Sequence, residues 1–306
     1  MGGRLMRRIV VLFSAVFVLL IVFTVFSCEK AIVPDDNATD DAKGNLRVSV
    51  FEIEKTPFAS LNLKPQSLTR ASEAASTVVT RLSFAVYDMS GTRLKYVNQQ
   101  SSTANFGRAS FQLPEGDYTV VVVGHSSNGN PSMTTPYKIQ FTNTQGFTDT
   151  FLCCGDVTVG EENVDLQVSL DRIVALCRFV VTDDFPADVK KMRFYYTGGS
   201  GAFDATTGLG CVNSKQDVKF DVVAGQNEFD LYTFLHDIDG TIHLTVTALD
   251  ASGNELYNRT FDVPMEQNHI TWLSGAFFGG GGSSSTTTIT GVTVNTSWAG
   301  ETHLTF

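Results

Sequence analysis

Charge is scarce in this chain: Asp, Glu, Lys and Arg make up 18% of its 306 residues, and their balance is acidic, at −10. A negative surface of this kind excludes counterion-release binding to nucleic acid and attraction to anionic lipid heads. The five histidines, His125, His236, His243, His269 and His303, are scattered, with no HExxH or HxH spacing. The glycine runs Gly198-Gly199-Ser200-Gly201 and 279–282 lack the Lys-Ser/Thr of a phosphate loop, and no G-x-S-x-G elbow occurs. His236-Asp237-Ile238-Asp239-Gly240 opens like a calcium loop but lacks the rest of the pattern, and an Asp-Gly turn already explains it. No catalytic residue, metal or cofactor is therefore assigned, and the expected protein is not an enzyme.

Long apolar runs are absent except at the start. Ile9 to Phe26 is broken only by Ser14 and Thr24 and follows Arg4, Arg7 and Arg8. Val25-Phe26-Ser27-Cys28 resembles a lipobox, in which a small residue precedes a cysteine whose thiol accepts a diacylglyceryl group. The competing reading is an uncleaved membrane helix, since the run is near the lower length limit for spanning. The polar stretch that follows carries Asp35, Asp36, Asp40 and Asp41 and no stop-transfer cluster of Lys and Arg. The expectation is a lipoprotein signal peptide over 1–27 and an acidic tether over 28–45, with the body held to the outer membrane and facing outward.

Cysteine is also sparse. With Cys28 lipidated, Cys153, Cys154, Cys177 and Cys211 remain, and their pairing stays open. Adjacent Cys153 and Cys154 point to opposite faces of a strand and cannot jointly grip a metal. Cys177 shares a face with Ile173, Ala175 and Phe179 and reads as a small buried hydrophobe.

What the chain has in quantity is Phe, at 23 residues, within 42% hydrophobic residues. Period-two alternation dominates, and no long helical stripe appears. Leu46, Val48 and Val50 alternate with polar residues, as do Leu82, Phe84 and Val86 before a turn at Ser90-Gly91. Pro114-Glu115-Gly116-Asp117 reads as a hairpin turn, and Val120 to Val123 need apolar cover on both sides. After Arg172 a second set of strands begins, with a Gly-rich loop at 197–214 and a hairpin turn at Asp239-Gly240. Gly279 to Ser285 is a flexible linker by composition, followed by Val292, Val294 and Trp298 on one face of a terminal segment. Trp272, Trp298, Tyr195 and Tyr196 are candidates for stacking on sugars, although such aromatics more often serve the core.

Four phrases together resemble the fimbrillin-associated anchor and fimbrial-subunit family of Bacteroides-type bacteria. They are the lipobox with its acidic tether; Leu82 to Asp88 with Leu113-Pro114-Glu115-Gly116-Asp117-Tyr118; Leu170-Asp171-Arg172-Ile173-Val174-Ala175; and Met192 to Ser200 with its Gly-rich continuation. The resemblance implies an all-β protein of two tandem transthyretin-like antiparallel β-sandwich domains, here 46–170 and 171–306. It implies a non-enzymatic fimbrial subunit or fimbrium anchor, partnered by other fimbrial subunits and assembled by β-strand addition. The alternative is a monomeric adhesive or carbohydrate-binding surface lipoprotein whose partner is a host glycan or protein.

Arg70-Ala71 resembles the arginine-specific maturation site of shaft pilins, and cutting there would free the strand Leu46 to Ile53; an exposed loop arginine is the plainer reading. Val292, Val294 and Trp298 mark a segment that either exchanges between molecules or closes as a hairpin on Ile270 to Phe278. The lipid assignment predicts that a palmitate analogue labels the wild-type chain and not Cys28→Ala, which loses its membrane affinity. Equal labelling of both would remove the lipoprotein reading.

Overall fold

Alternating apolar residues fold into strands almost throughout a computed structural model, which describes residues 44–53, 75–142, 146–279 and 298–306. The first half contains β1 (Leu46–Ile53), a four-residue helical turn α1 (Ala75–Val78), β2 (Arg81–Asp88), β3 (Arg93–Gln100) and β4 (Arg108–Phe111). It continues with β5 (Gly116–His125), β6 (Ser132–Thr135), β7 (Lys138–Gln140), β8 (Thr150–Val159) and β9 (Val164–Arg172). The second half has β10 (Ala175–Val181), β11 (Lys191–Ser200), β12 (Ala202–Asp204), β13 (Leu209–Gly210) and β14 (Asn213–Asp221). β15 (Glu228–Thr233), β16 (Asp239–Leu249), β17 (Glu255–Glu266), β18 (His269–Gly275) and β19 (Gly300–Thr305) complete it. The fold is nearly all-β.

In the first half a seven-stranded sheet runs β3-β2-β5-β8-β9-β1-β4. β8 and β9 share only the pairs Phe151↔Arg172 and Leu152↔Asp171, and there the sheet turns over on itself. Leu46, Val48, Phe111 and Leu170 thereby bury against Leu82, Phe84, Val120 and Val122. The neighbouring residues Ala85, Tyr87, Val121 and Val123 face the other way into a second core. The valine run thus has apolar cover on both sides, as alternation requires. Cys153 and Cys154 likewise face different cores.

The second half stacks β15-β10-β18-β19 on β14-β11-β16-β17. Cys177, Phe179, Leu231 and Leu273 meet Phe194, Tyr196, Val246 and Val263 between the sheets, so Cys177 is the buried hydrophobe that its strand face suggested. A small sheet, β13-β12-β7-β6, takes strands from both halves, with Phe203 opposite Ile139. All these described residues belong to one compact unit.

Several local expectations need correction. Most strand pairs are antiparallel, but β1–β9, β10–β18 and β18–β19 run parallel. Pro114 to Asp117 does not close a hairpin: β4 pairs with β1, while β5 pairs with β2 and β8. The turn carries the chain between layers, fixed by the Tyr118 hydroxyl donating to Pro114 O at 2.9 Å. Asp239-Gly240 opens β16 rather than a hairpin, because β15 pairs with β10 in the opposite sheet. The Gly-rich stretch 197–214 is largely strand. Gly198 takes a φ of 93°, and a Cβ at Gly199 would strike the Thr233 hydroxyl; the register of β11 shifts there, between Tyr196 and Gly199. β12 then leaves to join β7.

His125, at the end of β5, is fully buried, its ring 4.9 Å edge-on from Phe141. Its Nδ1 accepts from the Ser127 N–H at 3.2 Å, while its Nε2 has no hydrogen-bond partner. Burial, with a smaller push from Arg81, drives its pKa down to about 4. The unfolded chain, with an ordinary histidine, binds that proton more tightly, so stability is full above pH ~6.5 and is lost as pH falls towards ~4. We expect the His125 contribution to cost about 2 kcal/mol between pH 7 and pH 5. Denaturant melts at the two pH values should show that loss in the wild type and a smaller one in His125→Phe. Equal losses would mean that His125 is not the group responsible.

Candidate functional site

Along β9, Val168, Leu170 and Arg172 lie on the face that turns inward, so the alternation carries an arginine into the core. The Arg172 side chain is only 3% exposed. A buried guanidinium must be paired, and here each of its three nitrogens donates. Nε and Nη2 donate to the two carboxylate oxygens of Asp149 at 2.7 and 2.9 Å, and Nη1 donates to Asn268 Oδ1 at 3.1 Å. Its guanidinium carbon lies over the rings of Phe151, at 4.8 Å, and Trp298, at 3.9 Å.

Asn268 occupies the turn between β17 and β18 with a φ of 59°, a conformation Asn tolerates better than most residues. Its N–H donates to Val174 O at 2.9 Å, and its carbonyl accepts from the Ala299 N–H at 2.7 Å. Gln267 beside it donates through Nε2 to Ile173 O at 3.1 Å and Gly208 O at 2.9 Å. One two-residue turn therefore ties the junction between the halves, the β12–β13 hairpin and the start of the terminal segment.

From Trp298 the chain enters β19, a strand at the sheet's edge that runs parallel to β18. Trp272 and His303, paired across the strands, stack at 5.5 Å with an interplanar angle of 8°. The Trp272 indole N–H donates to Glu301 at 3.2 Å, and Arg178 covers the ring at 4.9 Å. Arg178 is itself held by both oxygens of Asp230 at 2.6 and 2.8 Å, hydrogen bonds that raise its pKa. Leu304 enters the core, and Phe306 stacks on Phe179 at 5.1 Å, beside Phe261 and beneath Arg259. A hairpin on Ile270 to Phe278 is excluded by the parallel direction, which needs a long crossover; residues 276–299 supply the length.

Of the residues singled out in the sequence, Cys28, Arg70, Ala71, Val292 and Val294 lie outside the described residues. Trp298 is described and buried. Each stacking candidate has a partner within the protein: Trp272 lies between Arg178 and His303, Trp298 lies on Arg172, Tyr195 lies beneath Arg193 at 6.0 Å, and Tyr196 is buried with its hydroxyl on Tyr232 O. An open cleft of about 490 Å³ at the start of β1 is walled by Asn45, Arg47, Gln112, Glu115, Glu161 and Asn163, with no aromatic among the described residues that line it. Among the described residues no group of three or more His, Cys, Asp or Glu is arranged to hold a metal. Sequence reading missed Arg172, Asp149 and Asn268 as a cluster. The available signal was a charged residue on the buried face of an alternating strand.

Residues 53–302, about four-fifths of the chain, match the family described as fimbrillin-A associated anchor proteins Mfa1 and Mfa2. No curated protein matches. Among solved structures, the chain is similar to a candidate adhesin from Bacteroides ovatus, with 15% identity and a TM-score of 0.46 over 73% of this chain and 84% of that one. It is similar to the fimbrial anchor protein Mfa2 from Porphyromonas gingivalis, with 13% identity and a TM-score of 0.41 over 70% and 80%. A fimbrial assembly protein from Parabacteroides distasonis gives 14% identity and 0.38 over 76% and 89%. On the extent of the family match, the chain belongs to the fimbrillin-A associated anchor proteins.

Proposed function

We propose that this fimbria-associated surface protein is a lipoprotein, held to the outer membrane through Cys28, that joins a fimbrium as anchor or subunit by β-strand addition. Its two domains, in this reading, are the sandwiches 46–170 and 171–306, and it performs no catalysis. The observation that carries the reading is the seat of segment 298–306. Among the described residues β19 pairs with β18 alone, and its connection to that neighbour is a long stretch rich in Gly and Ser. An edge strand of this kind can be replaced by an equivalent strand from another molecule without rearranging the sheet behind it.

β1 offers a second exchange position. It lies between β9 and β4, and Leu46 and Val48 are fully buried. Cleavage at Arg70-Ala71 would release it and open a groove in the first half, as a shaft role requires; an anchor keeps its strand and its lipid. The N-terminus of the surface-attached protein distinguishes the two, Ala71 for a shaft subunit and Cys28 for an anchor.

Deleting residues 289–306 removes Trp298, Leu304 and Phe306 from cores they help to fill, and burial of such side chains is worth several kcal/mol together. The truncated chain should melt several degrees below the full chain and be absent from filaments under immunogold labelling. Refolding it with a synthetic peptide of residues 289–306 should restore the melting temperature, because binding to the folded form adds stability. A melt that the peptide leaves unmoved would rule out strand addition at this edge.

A further inference from the structure

The terminal segment is held by contacts of two kinds. Leu304 and Phe306 belong to the second sandwich alone, whereas His303 stacks on Trp272 at the margin of the shared core. Trp298 belongs elsewhere: it lies in the core shared by both halves, with Val121, Phe141, Leu152, Phe203 and Phe234. Its ring closes one face of the Arg172 guanidinium, whose other partners are Asp149, ahead of β8, and Asn268, after β17. Asn268 in turn holds Val174 and Ala299. If Trp298 withdraws, a buried cation loses its cover and the shared core loses a wall at the same place.

We propose that Trp298 stacked on Arg172 is a latch: the seated terminal segment locks the first half onto the second, and its departure loosens that joint. The inference rests on the reading that segment 298–306 can leave its seat. It adds that exchange at the sheet edge is communicated to the junction between the halves. The physical basis is that a desolvated cation–π contact is worth more than an exposed one, and both neighbours of this contact belong to the joint. Arg172 is a positioning residue in this scheme, since it acts through the ring it holds.

Hydrogen exchange on the full chain tests it. Trp298→Ala should raise exchange on the order of tenfold in β19 and also in β7 and β12, the strands that pair across the halves. Trp298→Phe, which keeps a flat ring, should restore most of the protection. Leu304→Ala should loosen β19 and leave β7 and β12 as protected as in the wild type. Arg172→Lys keeps the charge but loses the flat face, so it should resemble Trp298→Ala, and combining the two should add little. The latch is overturned if Trp298→Ala leaves β7 and β12 protected, or if Leu304→Ala exposes them equally. A uniform rise that includes β5 also overturns it, because Trp298 would then be ordinary core. Filament incorporation is scored separately: a latch that behaves as described in a chain that never enters filaments would remove the strand-addition reading alone.

Discussion

The fold depends on satisfying one buried positive charge. Taking a guanidinium out of water costs several kcal/mol unless its hydrogen bonds and its charge are matched inside. Arg172 is matched by groups far apart in sequence, Asp149, Asn268, Phe151 and Trp298. They come from the start of β8, the β17–β18 turn and the terminal segment, so the guanidinium is neutralised by Asp149 and fully surrounded only when these elements and β9 are all in place. Apolar packing in the three cores supplies the bulk of the stability. The arginine supplies a condition that misdocked arrangements fail to meet.

The same economy governs the sheet edges. An exposed edge invites pairing with any passing strand unless charge, proline or a bulge discourages it. β14 carries Lys215, Asp217, Lys219 and Asp221 on alternate positions, and β17 contains Pro264. β3 has an irregularity beside Leu94, where Val86 pairs with Lys95 and Tyr87 with Arg93. β19 carries Glu301 and His303, and both side chains are turned to Trp272 rather than outward as a deterrent.

Much of this was legible in the sequence, and the limits have physical causes. Alternation placed Leu82, Phe84 and Val86 on one face and made Val120 to Val123 a strand covered on both sides, because side-chain direction in a strand is a local property. The Ser90-Gly91 turn was legible for the same reason: Asp88 caps it by accepting from the N–H groups of Ser90 and Thr92 at 2.9 Å. Pairing partners were not legible. Pro114 to Asp117 and Asp239-Gly240 have the residues of a reversal, yet turn chemistry does not decide whether the next strand joins the same sheet or crosses to the facing one. Parallel neighbours such as β1 and β9 are brought together by everything between them. The arginine cluster escaped because Arg172 alone stands out, on the buried face of β9, and its partners, read alone, are ordinary polar or aromatic residues.

Parallel pairing at β19 has a consequence for how the segment finds its place. In a hairpin, the turn sets register; after a long crossover nothing in the connection can. Register must then come from side chains, and along 298–306 each has its own seat: Trp298 on Arg172, His303 on Trp272, Leu304 in the second core, Phe306 between Phe179 and Phe261. A slip of one residue would send Leu304 outward and bring a polar neighbour into the core. The address is therefore written in the segment itself and not in its attachment. A strand presenting the same side chains in the same order therefore carries the same address, and covalent attachment only raises its local concentration.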